Sequence, residues 1–132
     1  LCQIEVVIRL KTTVRFTANI DVSLGFPMVI EWLRFKVDPA LRDRFIQVDD
    51  AIWTTALAAN PGFLGKEVWL SPTQPDEVVL VIRWRSREDW KAVPAKILEE
   101  TENAFAQALG KGRYELVETG EYQVRKFPRT TP

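Results

Sequence analysis

At 132 residues, with 46% apolar and 27% charged residues, the chain is sized for one domain around one hydrophobic core. Its 18 basic residues balance its 18 acidic ones, which leaves no basic excess for a nucleic-acid surface, and no apolar run reaches the roughly 18 residues of a membrane span. The sequence holds no histidine and a single cysteine, Cys2, so a Ser-His-Asp or Cys-His nucleophile, an internal disulfide and a histidine-bearing metal or haem site are excluded.

Residues 4–22, IEVVIRLKTTVRFTANIDV, are rich in β-branched residues and alternate in part, which reads as one or two strands. Glu5, Arg9 and Lys11 break any signal-peptide core. The turn SLGFP leads to Met28, the only methionine. Two readings of residues 1–27 stand side by side: a β-rich N-terminal extension, or a segment upstream of a native start at Met28. From Met28 to residue 127 a single domain is expected, followed by a loose tail over 128–132.

The segment VIEWLRFKV (29–37) alternates, with Val29, Leu33, Phe35 and Val37 on one side and Ile30, Trp32, Arg34 and Lys36 on the other, and predicts a strand. Asp38-Pro39 opens a helix, with Asp as cap and Pro in the first turn. Leu41, Phe45, Val48, Ile52 and Ala56 would form its inner stripe, and Asn60-Pro61 ends it. A second strand is expected over 65–71 and a third, nearly continuous in apolar residues, over 77–85. Ser86 caps a second helical region that restarts at Pro94. Its inner stripe is read as Ile97, Thr101, Ala104, Phe105 and Ala108, and its end as Gly110 and Gly112. The last strand spans 113–126, with Gly120 read as a bulge.

The order β-α-β-β-α-β predicts an α+β, ferredoxin-like fold, two helices on one face of an antiparallel sheet. The other face would carry Trp32, Arg34, Trp69, Val79, Val81, Arg83 and Arg85. Two tryptophans and several aliphatics on a bare face call for a cover, and a second copy packed sheet to sheet, a dimeric α/β barrel, is the simplest one. Arg34, Arg83 and Arg85 are expected to pair across that interface with acids such as Glu67 or Glu121.

Three features together, NPGFLGKEVW at 60–69, VVLVIRWRSREDWKA at 78–92 and the element order, resemble the antibiotic biosynthesis monooxygenase superfamily. The nearest resemblance is to small cyanobacterial proteins within it, and it covers about 100 residues from Met28 to Lys126. It implies a homodimeric barrel in the cytoplasm, with no nucleic-acid or membrane partner and a ligand pocket between helices and sheet. Some members oxidise aromatic polyketides with dioxygen and no cofactor, and relatives degrade haem. Trp84 matches the family's tryptophan at the end of the third strand. The haem-degrading branch also needs a histidine and a first-strand asparagine, and this chain has neither.

The resemblance implies that a small aromatic or otherwise hydrophobic ligand would meet Trp84, Phe35, Ile52, Phe63 and Phe105. Trp84 is read either as a core residue at the sheet edge or as a pocket wall. Glu31, the one charge on the inner face of the first strand, is expected to be solvated at a strand end. If it points inward, burial would disfavour its charge and suit it to accept a proton from a phenolic substrate. Asp49 and Asp50, mid-helix beside Trp53, are expected to be solvated, with one of them facing the pocket mouth as the alternative, and Phe63 is expected to plug the corner after Gly62. Two functions follow: a cofactor-independent monooxygenase using Glu31 and Trp84, or a non-catalytic ligand-binding or structural barrel.

Overall fold

The computed structural model describes residues 27–126. The expectations for residues 1–26 and 127–132 lie outside this range. Four antiparallel strands form one sheet in the order β2-β3-β1-β4: β1 (Val29–Val37), β2 (Phe63–Leu70), β3 (Glu77–Trp84) and β4 (Tyr114–Gln123). Helical segments lie between β1 and β2 and between β3 and β4, which is the predicted ferredoxin-like α+β arrangement. The central strands β1 and β3 are almost wholly buried, as their long apolar runs require.

The first helical segment opens as expected, with Asp38 Oδ1 accepting from the Ala40 amide at 3.0 Å and Pro39 in a short 3₁₀ turn. It then departs from a plain α-helix. Helix α1 (Arg42–Asp49) passes into a π turn over Asp50–Thr54 before α2 (Thr55–Ala58) completes it. A π turn holds one extra residue, so every position after it is rotated by one. This corrects the predicted stripe: Phe45 and Val48 are buried as expected, but beyond the π turn Leu57 goes inward and Ala56 is only partly covered. The helix end follows the prediction, with Asn60 Nδ2 donating to the carbonyls of Ala56 and Leu57.

Strand β2 starts at Phe63, two residues before the predicted start, because a bulge between Phe63 and Gly65 lets Phe63 pair with Trp84. The ring of Phe63 meets Trp84 edge-on at 5.7 Å. Phe63 therefore packs on the core at the corner as expected, and does so as the first residue of β2. The turn before it brings two remote segments together: the Gly62 carbonyl accepts from the Arg85 amide at 2.7 Å. Ser86 caps α3 (Arg87–Lys91) by accepting from the Asp89 amide at 3.1 Å.

Helix α4 (Ala95–Leu109) buries Leu98, Thr101, Glu102, Phe105 and Leu109. The predicted stripe shared Thr101 and Phe105 with it but was otherwise turned by about one residue; Ile97, Ala104 and Ala108 are exposed. Leu109 wins the inner face over Ala108 because it removes more apolar surface from water. The bulge in β4 also moves. It falls opposite Arg34 and Phe35, around Val117, whereas Gly120 pairs regularly with Trp32. There Gly120 makes room, since a Cβ at this position would meet Tyr122 at 3.0 Å and Trp32 at 3.5 Å.

The main core lies between the helices and the inner sheet face, around Phe35, Phe45, Phe105, Trp84 and Trp90. On the outer face Ile30, Val79 and Val81 are buried, with Trp32 and Val124 packed against them. The arginines of this face find partners within the chain: Arg34 with Glu118 and Glu77, and Arg83 with Glu67. Arg85 pairs with Asp89, and Glu121 with Arg87. Within one chain these groups are thus already paired with one another. Among the described residues no helix is long and apolar enough to cross a membrane.

Candidate functional site

A cavity opens between α1, the π turn, α4 and the inner face of the sheet. Its walls are mostly apolar, with Phe35, Phe45, Phe105, Leu80, Ile82 and Leu116 among them. Its volume is about 40 Å³, room for the centres of a few water molecules. Four charged side chains reach it: Glu31, Asp49, Lys66 and Glu102.

The sheet register explains two of them. Lys66, Ile82, Glu31 and Glu121 lie opposite one another in a single row from β2 to β4. Alternation turns Lys66 and Glu31 inward with Ile82 between them. Glu31 is only 4% exposed, which corrects the expectation that it is solvated: β1 is central, so both its ends are covered. Its Oε1 accepts from Trp84 Nε1 at 3.2 Å, a diagonal cross-strand contact. Trp84 itself is fully buried and does not line the cavity; it reaches the site through this indole N–H.

The helix before the π turn carries the third. Asp49 is 1% exposed and pairs with Lys66 Nζ at 2.5 Å, whereas Asp50 is exposed as expected. Of the two readings of Asp49, the structure takes the one that faces the pocket: the helix turns it into the core between Phe45 and Trp53, where Lys66 meets it. Burial raises the Asp49 carboxyl above its ordinary 3.8, and the ammonium of Lys66 opposes that rise. Asp49 Oδ1 is buried and makes no hydrogen bond.

Glu102 is the fourth. It is 3% exposed on α4 and accepts from Tyr114 Oη at 2.8 Å. Burial raises its carboxyl above 4.5, against hydrogen bonds from Tyr114 and Trp53 that lower it. Burial also raises the Tyr114 phenol, and the adjacent Glu102 adds to that. Beyond the cavity, at the end of β1 and β4, desolvation brings the Lys91 ammonium down to about 8; Arg87 adds to this, while Glu121 and Glu31 oppose it. Lys91 lies 4.9 Å over the buried Trp90 ring.

Of the residues expected to meet a ligand, Phe35 and Phe105 line the cavity, whereas Ile52, Phe63 and Trp84 pack on the core beside it. Ile52 is displaced by the π turn, which puts Trp53 in its place. Lys66, Glu102, Trp53 and Tyr114 were not anticipated. A signal for Lys66 existed: if Trp69 faces outward, the alternation puts Lys66 inward. The residues placed on the outer face divide. Val81 is buried, Trp32, Arg34 and Arg83 are half-buried, and Trp69 and Arg85 are exposed. Among the described residues no three His, Cys, Asp or Glu side chains stand close enough to hold a metal ion.

The family profile for antibiotic biosynthesis monooxygenase matches residues 28–93. No curated protein shows significant sequence similarity to the chain. Among solved structures, SnoaB, a cofactor-independent oxygenase from Streptomyces nogalater, superposes with a TM-score of 0.56 at 19% identity, covering 76% of this chain and 96% of its own. The monooxygenase ActVA-Orf6 of Streptomyces coelicolor, solved with Nanaomycin D, gives a TM-score of 0.59 at 17% identity over 86% of this chain and all of its own. A protein of Chloroflexus aurantiacus J-10-fl, provisionally named an antibiotic biosynthesis monooxygenase, gives 0.56 at 25% identity over 77% of this chain and 97% of its own. At 19% and 17% identity, the first two likenesses speak for the fold alone.

Proposed function

The chain belongs to the antibiotic biosynthesis monooxygenase family, and from that premise we propose that it oxidises a small aromatic molecule with dioxygen and without a bound cofactor. The observation that carries this reading is Glu31, a buried carboxylate on the wall of an apolar cavity, held by the Trp84 indole N–H. A carboxylate fixed on the wall of a pocket is positioned to accept a proton from a substrate bound there. An activated ring CH₂, as in an anthrone, would give its proton to Glu31. The carbanion left behind passes electrons to dioxygen; one oxygen atom ends as the ring carbonyl and the other leaves as water. The apolar walls keep solvent from the anion, and Trp84 acts as a positioning residue. SnoaB and ActVA-Orf6 lend support as oxygenases on the same fold.

Oxygen uptake with an anthrone or a hydroquinone is the test. Glu31→Gln should lower the rate by about 10²-fold or more, the usual worth of a positioned base, and Trp84→Phe should lower it less. No uptake by the wild type, or uptake untouched by both changes, would refute the oxygenase reading. A second reading, a barrel that holds a ligand or serves only as structure, draws on the cavity size. About 40 Å³ falls well short of the about 150 Å³ that admits a benzene ring, so a substrate must open the pocket. Native mass spectrometry showing a retained hydrophobic molecule without turnover would favour it.

We further propose a homodimer. Trp69 and Tyr122, at 48% and 59% exposure, face outward from the sheet, and Leu70 and Val68 remain exposed on the edge strand β2. These apolar surfaces suit a second copy.

A further inference from the structure

The Asp49–Lys66 pair is poorly explained by stability. Burying two charges costs several kcal/mol per ion, and an apolar pair of similar volume is often as good or better. The pair here is also incomplete. One oxygen of Asp49 meets Lys66 Nζ, while Oδ1 is buried without a partner on a residue that lines the cavity. A buried acceptor left unsatisfied is costly and calls for a donor. The π turn, a feature that recurs at functional sites, begins at the next residue.

We infer that Asp49 Oδ1, with Lys66 beside it, is the docking point for the hydroxyl of an aromatic ligand that carries no negative charge. The aromatic body follows from the walls, with Phe35, Phe45, Trp53 and Phe105 around the cavity. The hydroxyl follows from the empty acceptor. The absence of negative charge follows from the other polar groups: an anion would meet the carboxyl groups of Glu31 and Glu102. Glu31 and Lys66 flank Ile82 two strands apart, about 10 Å between backbones. The hydroxyl is thus held at one end of the cavity and the proton acceptor of the proposed reaction stands at the other. This rests on the reading that the cavity admits a ligand, but not on turnover.

The experiment is anaerobic titration of the full chain, read by tryptophan fluorescence, with 2-naphthol, naphthalene and 2-naphthoate. The wild type should bind 2-naphthol about tenfold or more tighter than naphthalene, the worth of a hydrogen bond to a charged group, and 2-naphthoate more weakly than 2-naphthol. The double variant Asp49→Leu/Lys66→Met replaces the pair by apolar groups and should keep naphthalene binding while losing the preference for the hydroxyl. Equal affinity of the wild type for 2-naphthol and naphthalene, binding of neither, or a double variant that keeps the preference would overturn the inference. The wild-type comparison decides even if the double variant does not fold. A clear hydroxyl preference without oxygen uptake would sink the oxygenase reading alone; uptake without the preference would sink this one alone.

Discussion

Glu102 shows how one buried acid can shape the response of the protein to pH. Its carboxyl is raised by burial, with Tyr114 and Trp53 holding it only partly down. A group whose folded pKa lies above its unfolded value contributes stability that is whole below the unfolded pKa, here 4.5, and is lost as pH rises through the folded value. Glu102→Gln keeps an acceptor for the Tyr114 hydroxyl and removes the titration. Urea unfolding should therefore find the variant more stable than the wild type at pH 7, with the difference vanishing or reversing near pH 4. An equal difference at both pH values would mean that Glu102 is not titrating with folding. At the same scale Glu31 was visible in the sequence as the one charge on an apolar strand face, but its burial was not. That depended on β1 lying between two neighbours, which no local pattern reports. Asp49 was hidden more deeply, because its direction is set by the helix and its partner by a strand seventeen positions on.

Among the elements, the contact between the β2 entry and the α3 entry joins the two motifs by which the family was recognised. Gly62 has φ of +90°, and a Cβ there would fall 2.5 Å from the Asp89 side chain. Asp89 cannot swing aside cheaply, since its Oδ2 holds both Ser86 Oγ at 3.0 Å and Arg85 Nε at 2.8 Å. Gly62→Ala should cost about 1–3 kcal/mol, from backbone strain at positive φ with the clash added, read as a lower urea midpoint at unchanged slope. A variant as stable as the wild type would show that the two motifs are not locked at this point. Strand and helix identities were legible from period and capping. The two inner helix stripes were not: one was displaced by the π turn, which inserts a residue without any sequence mark, and the other was turned by larger side chains competing for the core.

For the whole molecule, the outer sheet face is the open question that oligomeric state answers. Ile30, Val79 and Val81 are already buried, yet Trp69 and Tyr122 stay about half exposed. Sedimentation at micromolar concentration should give a dimer, and Trp69→Lys should shift it toward monomer while leaving the fold intact by circular dichroism. A wild-type monomer would refute the barrel. By itself the sequence determined the α+β class, the antiparallel order and the family, because hydrophobic period, caps and turns are local and each element carries its own signature. Only the tertiary structure decided that Glu31, Asp49, Lys66 and Glu102 share one cavity and that the outer-face arginines pair inside the chain. Those facts depend on which strands are central and how far each helix is rotated, and such quantities are set by packing between elements remote in sequence.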